Sequence, residues 1–279
     1  PANTLSLHDA LPIYMDGTLL NSDNAISKDN EVALKKLQKM GVEVIIASGR
    51  LDLMVKVYIK QLGLKGPVIS CNGGLVRNIK TGEVLYSKLM DKIAVKEVTT
   101  YCSNNKIEFI IYTADIVYTT KNNSVGKRYE DRNKFLLKDE QIPIKYIDDK
   151  TMENINDIDA FKVLLVCEKH EEIILLEKHF SKYDNLTVVS SAKGLLDIMA
   201  SDISKGNALE ILSKKLNVGL DEIIVFGDNY NDMEMFKCAG MPIAMENAVE
   251  DIKLAAKYIT KSNNESGIAY AINNYILKE

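Results

Sequence analysis

No stretch of this 279-residue chain approaches the ~20 consecutive apolar residues that a membrane span requires, so no membrane partner is expected. Cysteine is sparse: Cys71, Cys102, Cys167 and Cys238 lie far apart, with no close pair of the kind that forms a metal knuckle. In a chain of this size they read as reduced, partly buried thiols, and the expected location is cytoplasmic. Concentrated positive charge is lacking too. The formal net charge is −4, with Lys and Arg scattered, whereas binding a phosphate backbone needs a basic face, so no nucleic-acid partner is expected. Residues 1–13, PANTLSLHDALPI, have no basic start and no continuous apolar segment, and Asp9 and Pro12 interrupt them, so they are not expected to act as a secretory leader. What remains is an ordinary globular composition, 46% hydrophobic and 27% charged, long enough for one large or two modest domains.

Along the chain the period of the apolar residues alternates between helix and strand. Ser27 is placed to cap a helix in which Val32, Ala33, Leu34, Leu37 and Met40 recur at helical spacing, and Gly41 stops it. VEVIIA then reads as a buried parallel strand ending at Ser48-Gly49-Arg50, with another helix from about Asp52. PVIS (67–70) is a further buried strand, and NIKTGEVLYS a hairpin turning at Gly82. The middle changes character. EFIIYTADIVYTT predicts an antiparallel pair, polar sequence fills Lys121 to about Asp159, and FKVLLVCE and EEIILLEKHF predict a strand and an amphipathic helix. LTVVSSAKGLLDIMA predicts a hairpin turning at Lys193 and Gly194. From about Ser204 the parallel pattern returns, with a helix through Leu216, the strand EIIVFGD, a short helix stopped by Gly240, the strand MPIAM and helices from about Val249 and Ile268. The expected architecture is α/β: a doubly wound, Rossmann-like parallel-sheet core made of residues 1–82 and 188–279, with an α+β insertion at 83–187.

Four stretches fall where strands of such a core end: YMDGT, ASGR, DISKGNAL and FGDNYND. The carboxyl ends of a doubly wound sheet converge on one crevice. Each stretch alone is a weak signal. Lys205 reads as well as a solvated lysine at a helix start, Ser48 as a simple N-cap, and Asp232 as the cap of the helix after it. Together they supply what phosphoryl transfer needs, namely neutralisation of phosphoryl oxygens, acid–base help and a carboxylate-held metal. Asp228 and Asp232 are candidates for Mg²⁺, Lys205 for charge neutralisation, Ser48 for phosphate oxygens, and Asp16 for the proton of the leaving group and of the attacking water.

In the order MDGTLLNSDNAIS, IIASGR, ISCNGG, DISKGNAL, VFGDNYNDMEMF and AMENA, residues 15–279 resemble the haloacid dehalogenase superfamily of phosphatases, in its Cof-type branch with a large α/β cap. The resemblance implies a Mg²⁺-dependent phosphomonoesterase acting on small phosphorylated metabolites, such as sugar phosphates or nucleotide and cofactor phosphates, through an aspartyl phosphate. It also implies a cap that closes over the crevice. On it, Asp16 matches the acid/base aspartate whose backbone carbonyl also meets the metal, Ser48 and Gly49 the phosphate loop, and Lys205 the phosphate-stabilising lysine. Asp228 matches the metal carboxylate and Asp232 its partner, while Arg50, Asn72 and Asn231 fall where the branch lines its substrate and phosphate pocket.

Tyr14 departs from that pattern, which has the nucleophilic aspartate there. A phenol with an ordinary pKa near ~10 is neutral at pH 7 and a poor ligand for a hard metal, and its oxygen lies too far out. The chain as written is therefore expected to have little turnover. The segment before it is also unusual, with His8, Asp9 and a proline where a continuous apolar strand is expected. Residues 4–13 match one translated frame of a common short-read sequencing adapter, and codons for aspartate and tyrosine differ only in their first base. The expectation is that this segment is not native and that a junction inside codon 14 replaced aspartate by tyrosine. A rival reading from a different class is a non-catalytic protein that binds a phosphorylated metabolite through Lys205, Ser48 and Asp228. A third is a phospho-accepting signalling domain, against which the large insertion and the arrangement from Lys205 to Asp232 both count.

Overall fold

The computed structural model describes residues 10–192 and 194–277, which form two units, one of residues 1–52, 57–86 and 204–279 and the other of 53–56 and 87–203. In the first unit the chain begins with strand β1 (Ala10–Tyr14), helix α1 (Lys28–Lys39) and β2 (Glu43–Ala47). Helix α2 (Lys56–Leu62), β3 (Pro67–Ser70), β4 (Leu75–Asn78) and β5 (Val84–Ser87) follow. The second unit contributes α3 (Lys92–Asn104), β6 (Glu108–Tyr112), β7 (Val117–Thr119), α4 (Ser124–Asn133), β8 (Ile144–Tyr146) and α5 (Asp149–Glu153). It continues through β9 (Lys162–Val166), α6 (His170–Phe180), β10 (Leu186–Ala192) and β11 (Leu195–Ala200). The chain then re-enters the first unit with α7 (Lys205–Leu216), β12 (Ile224–Gly227), α8 (Met233–Cys238), β13 (Met241–Ala244), α9 (Glu250–Ala255), β14 (Tyr258–Ile259) and α10 (Gly267–Ala271).

The first unit is an eight-stranded sheet in the order β14-β13-β12-β1-β2-β3-β4-β5, parallel from β14 through β3 and antiparallel at β3–β4. Strands run outward in sequence on both sides of the β1–β12 pair. That pair is a topological switch point, where the loops after neighbouring strands diverge to opposite faces and leave a crevice between them. Its central strands are short, apolar and buried, as strands covered on both faces must be. Helix α1 starts where Ser27 accepts a hydrogen bond from Asn30 N–H, and it buries Ala33, Leu34 and Leu37. On one face Ile45, Ala47, Ile69 and Val225 pack with Leu209 and Leu212 of α7 and Phe236 of α8.

Pro12 sits inside the central strand, with all five residues of β1 buried. The pairing with β2 is continuous from Ala10 to Tyr14, whereas towards β12 it is made at Ala10–Ile223 and Ile13–Phe226. The residues around Pro12 are skipped on that side, where a ring nitrogen has no hydrogen to donate. Burial of Leu11 and Ile13, both fully withdrawn from water, keeps the strand in place despite the gap. Residues 4–9 of the unusual leading segment lie outside the described residues.

The second unit is a six-stranded sheet, β10-β11-β9-β6-β7-β8, whose one face packs Phe109, Ile111, Val163, Leu165, Leu196 and Ile198 against α3 and α6. Two features differ from the sequence reading. The hairpin β10–β11, expected in the second part of the core from residue 188, belongs to this sheet because β11 pairs antiparallel with β9 along its length. The second crossing between units therefore falls at Ser204 and not at residue 188. The polar stretch from Lys121 to Asp159 holds a helix, α4, capped by Asn123, whose side chain accepts from Val125 and Gly126 N–H, and a strand, β8, paired with β7. Lys193, expected in the hairpin turn, lies outside the described residues, while Gly194 takes a left-handed φ of 79°. Among the described residues no helix is long and apolar enough to cross a membrane, and all four cysteines are free thiols.

On the face of this second sheet opposite to α3 and α6, Lys162 and Asp197 form a buried ion pair at 2.9 Å. Such a pair contributes little against an apolar replacement, but removing one partner takes away the main charge that offsets the other's lost hydration. Lys162→Met is expected to destabilise the protein by ~3 kcal/mol and Lys162→Met/Asp197→Leu by much less. Urea unfolding of the two variants checks this, and equal losses would refute the pairing.

Candidate active site

At the carboxyl end of β1 the chain turns sharply: Leu19 N–H donates to the Tyr14 carbonyl and Leu20 N–H to that of Met15. Gly17 has a φ of 77°, and a side chain there would collide with Asp228, whose Oδ2 lies 2.3 Å from where the Cβ would be. Both facts require glycine. Thr18, fully buried, donates its hydroxyl to Asp228 Oδ1 at 2.7 Å. The loop after β1 is thereby joined to the loop after β12, 210 residues further along the chain.

Asp228 to Asp232 follow β12. Asp232 is completely buried, and both its oxygens are engaged: Oδ1 accepts from Lys205 Nζ at 2.8 Å, and Oδ2 from the backbone N–H groups of Asp228 and Asn229. Lys205, the first residue of α7, is equally buried. Burial drives its ammonium below the ordinary lysine range, and the Asp232 carboxylate acts against that. The same ammonium lies 3.6 Å from the centre of the Tyr14 ring, and Asn231 Nδ2 reaches the Tyr14 hydroxyl at 3.5 Å. Burial, reinforced by the charge of Asp232, raises the phenol well above the ordinary tyrosine value, so Tyr14 is protonated throughout the physiological range.

Ser48, beyond the end of β2, is fully buried. Its N–H donates to Ile69, its carbonyl accepts from Asn72 N–H, and its Oγ accepts from Arg50 N–H at 3.1 Å. Gly49 packs on the Asn72 side chain, whose Oδ1 lies 2.8 Å from where a Cβ would be. Arg50 forks onto Asp16, with Nε donating to Oδ2 at 3.0 Å and Nη2 to Oδ1. The carboxylate of Asp16 remains partly open to solvent in this pairing.

All the candidate residues read from the sequence therefore fall into one connected set in the first unit. Asp16, Arg50, Ser48, Gly49 and Asn72 form one branch, Tyr14, Lys205, Asp228, Asn231 and Asp232 the other, and Thr18 ties the two loops together. Thr18 was not among the candidates, although its hydroxyl beside Asp-Gly was the available signal. Asn247 was also missed. It donates to the Gly17 carbonyl from 230 residues away, a contact with no local pattern.

The donor set fits a hard divalent cation. Burial pushes the Asp228 carboxyl up to about 7, with Thr18's hydroxyl opposing and the charge of Asp232 reinforcing the rise. A cation beside this carboxylate would favour its charged form. Among the described residues no three His, Cys, Asp or Glu side chains converge on one point. A metal here would thus be held by Asp228, by backbone oxygen and by water, as small hard cations prefer.

A family model described as haloacid dehalogenase-like hydrolase matches residues 13–272. The chain belongs to the haloacid dehalogenase superfamily. It is 30% identical to the phosphatase YwpJ of Bacillus subtilis, over 95% of this chain and 99% of that one. It is 29% identical to the 5-amino-6-(5-phospho-D-ribitylamino)uracil phosphatase YwtE of the same organism, over 95% and 97%. Among solved structures it is similar to a haloacid dehalogenase-like hydrolase from B. subtilis, with a TM-score of 0.83 and 29% identity over 96% of this chain and 100% of that one. The chain is a Cof-type member of this superfamily, with the scaffold of a phosphoric monoester hydrolase. Phosphatases of the superfamily generally use a divalent metal, in keeping with the donor set.

The displaced titration of Asp228 has a sign that can be tested on metal-free protein. Its folded pKa, about 7, lies above the ordinary 3.8, so between these values the folded state holds a proton that the unfolded state has released. The stabilisation is complete below the lower value and is lost as pH rises through the upper one. Asp228→Asn is expected to flatten the decline of unfolding free energy over this window by ~1 kcal/mol per pH unit. Parallel pH profiles of parent and variant in urea titrations would contradict the assignment.

Proposed function

We propose that this scaffold serves the Mg²⁺-dependent hydrolysis of small phosphorylated metabolites through an aspartate at position 14, and that Tyr14 leaves the chain as written without the attacking group. The observation that carries this reading is the position of the Tyr14 ring, against Lys205 and beside Asn231, in the midst of groups suited to phosphoryl oxygens. A protonated phenol there offers neither a nucleophile nor a metal ligand.

With aspartate at position 14, its carboxylate oxygen attacks phosphorus and the bond to the leaving alkoxide breaks, Asp16 giving that oxygen a proton after taking one up on leaving its contact with Arg50, in which both its oxygens accept. Water then attacks the phosphorylated carboxylate, Asp16 takes its proton, and phosphate leaves. Lys205 and the Ser48 hydroxyl hold the phosphoryl oxygens, with Asn72 and Asn231 bordering them. Arg50 holds Asp16 by a two-pronged contact in the resting site and must release it for the acid step. Mg²⁺, held by the Asp228 carboxylate and the Asp16 carbonyl, would neutralise part of the phosphoryl charge. Asp232 serves the site by orienting Lys205 and the loop carrying Asp228, since its own oxygens are taken. A relative named for acting on a phosphorylated ribityl compound supports a sugar-phosphate-like or cofactor-phosphate substrate.

Tyr14→Asp is expected to raise Mg²⁺-dependent turnover of p-nitrophenyl phosphate at least ~10³-fold over the chain as written. Equal Mg²⁺-dependent rates for the two forms would overturn the role of position 14. Metal-linked ligand binding without hydrolysis in the aspartate form would favour the non-catalytic binding protein instead.

The origin of Tyr14 has its own test. Sequencing the locus from intact genomic DNA is expected to give an aspartate codon at position 14, preceded by codons other than those for TLSLHDALPI. Finding the codons for TLSLHDALPIY contiguous in the genome would refute the adapter junction.

A further inference from the structure

We infer that Asn247, in the loop after β13, is a positioning residue that sets the Asp228 carboxylate for metal binding by holding the loop after β1. This rests on the metal-dependent reading above. The segment 245–249 grips both loops of the site at once. Met245 N–H donates to the Gly227 carbonyl at 3.1 Å and Val249 N–H to the Asp228 carbonyl at 3.0 Å. Between these two anchors, Asn247 Nδ2 donates across to the Gly17 carbonyl at 2.8 Å. Its Oδ1 accepts from Asn263 N–H at 3.0 Å, and Asn263 Nδ2 in turn donates to the Leu20 carbonyl at 2.8 Å.

The chemistry explains the residue type. One side chain must donate to a carbonyl and accept from an N–H at the same time, which a carboxamide does and an alanine cannot. The Gly17 carbonyl belongs to the peptide that leads into Thr18, whose hydroxyl donates to Asp228 Oδ1. Fixing that peptide fixes the hydroxyl, and the hydroxyl fixes one oxygen of the carboxylate. The relay thus runs from Asn263 through Asn247 and Gly17 to Thr18 and Asp228. Asn247 is exposed, so its truncation opens no cavity and leaves the sheet intact.

The test uses the full chain carrying Tyr14→Asp, with Mn²⁺ as the probe, titrated calorimetrically and by its paramagnetic resonance signal. Asn247→Ala is expected to raise the half-saturating Mn²⁺ concentration about fivefold, the scale of one lost hydrogen bond. The KM for p-nitrophenyl phosphate at saturating metal should stay within about twofold, because the relay does not touch the substrate. Thr18→Val, which removes the hydroxyl at the far end of the relay, should weaken the metal by a similar factor. If the two residues act through one relay, the double variant loses about fivefold in all; independent effects would multiply to about twenty-fivefold.

Unchanged Mn²⁺ binding in Asn247→Ala overturns the inference, as does full multiplication in the double variant. An Asn247→Ala protein that fails to fold, judged by circular dichroism and melting, also overturns it by making the residue a fold anchor. If the Tyr14→Asp parent takes up no metal, the metal-dependent reading fails and this inference with it. A parent that binds while the Asn247 variant binds equally well sinks the inference alone.

Discussion

Lys205 and Asp232 meet at 2.8 Å with both side chains fully withdrawn from solvent, and most of the site geometry follows from that contact. Neither charge is tolerable there alone, because the attraction between them offsets the loss of water only while they stay in contact. The pair therefore fixes the first turn of α7 against the loop after β12. Asp232 extends the constraint by accepting from two successive backbone N–H groups, so the same carboxylate that balances Lys205 also shapes the turn carrying Asp228. The loop after β1 is then drawn in by Thr18 and wedged by Gly17, which leaves no room for a side chain against Asp228. Three segments far apart in sequence are locked by one buried charge pair and the hydrogen bonds that satisfy it.

Position 14 stands apart from this frame. Its ring rests on the Lys205 ammonium, an attraction that a buried cation and an aromatic face supply readily, and the residue is as well buried as its neighbours in β1. A phenol held protonated by burial is a weak nucleophile at neutral pH. The hydrogen bonds that hold the frame run through Thr18, Asp232, Ser48 and Asn247.

Much of this was readable in the sequence, for reasons that the structure makes concrete. Short β-branched runs such as EVIIA and PVIS declare buried parallel strands, and Ser27, with the spacing of Ala33, Leu34 and Leu37, declares α1. The meeting of Asp16, Ser48, Lys205 and Asp228 in one unit was legible because the loops after such strands lie side by side. The allegiance of the β10–β11 hairpin was not. A hairpin looks the same locally whichever sheet it joins, and pairing with β9 decides the matter. Helix α4 was hidden for a different reason: SVGKRYEDRN is almost wholly polar, so its start depends on the Asn123 cap and not on an apolar stripe. That both oxygens of Asp232 accept hydrogen bonds, from Lys205 and from two backbone N–H groups, could not be read from its spacing to Asp228.

Pro12 carries the same lesson down to a single hydrogen bond. A proline in a central strand argues against that strand, and β1 does lose its regular ladder towards β12. Yet the strand persists, because its continuous pairing with β2 and the burial of Leu11, Ile13 and Met15 outweigh one missing donor, which is worth only ~1 kcal/mol. The placement of the loop that follows does not depend on the ladder at all. It is set by hydrogen bonds made after Tyr14, from Leu19 and Leu20 N–H groups back to the carbonyls of Tyr14 and Met15 and from Thr18 forward to Asp228. The strand can therefore carry an irregular ladder while the loop downstream keeps the geometry dictated by its own residues. Thr18 and Asp228 are thus placed by contacts made after position 14.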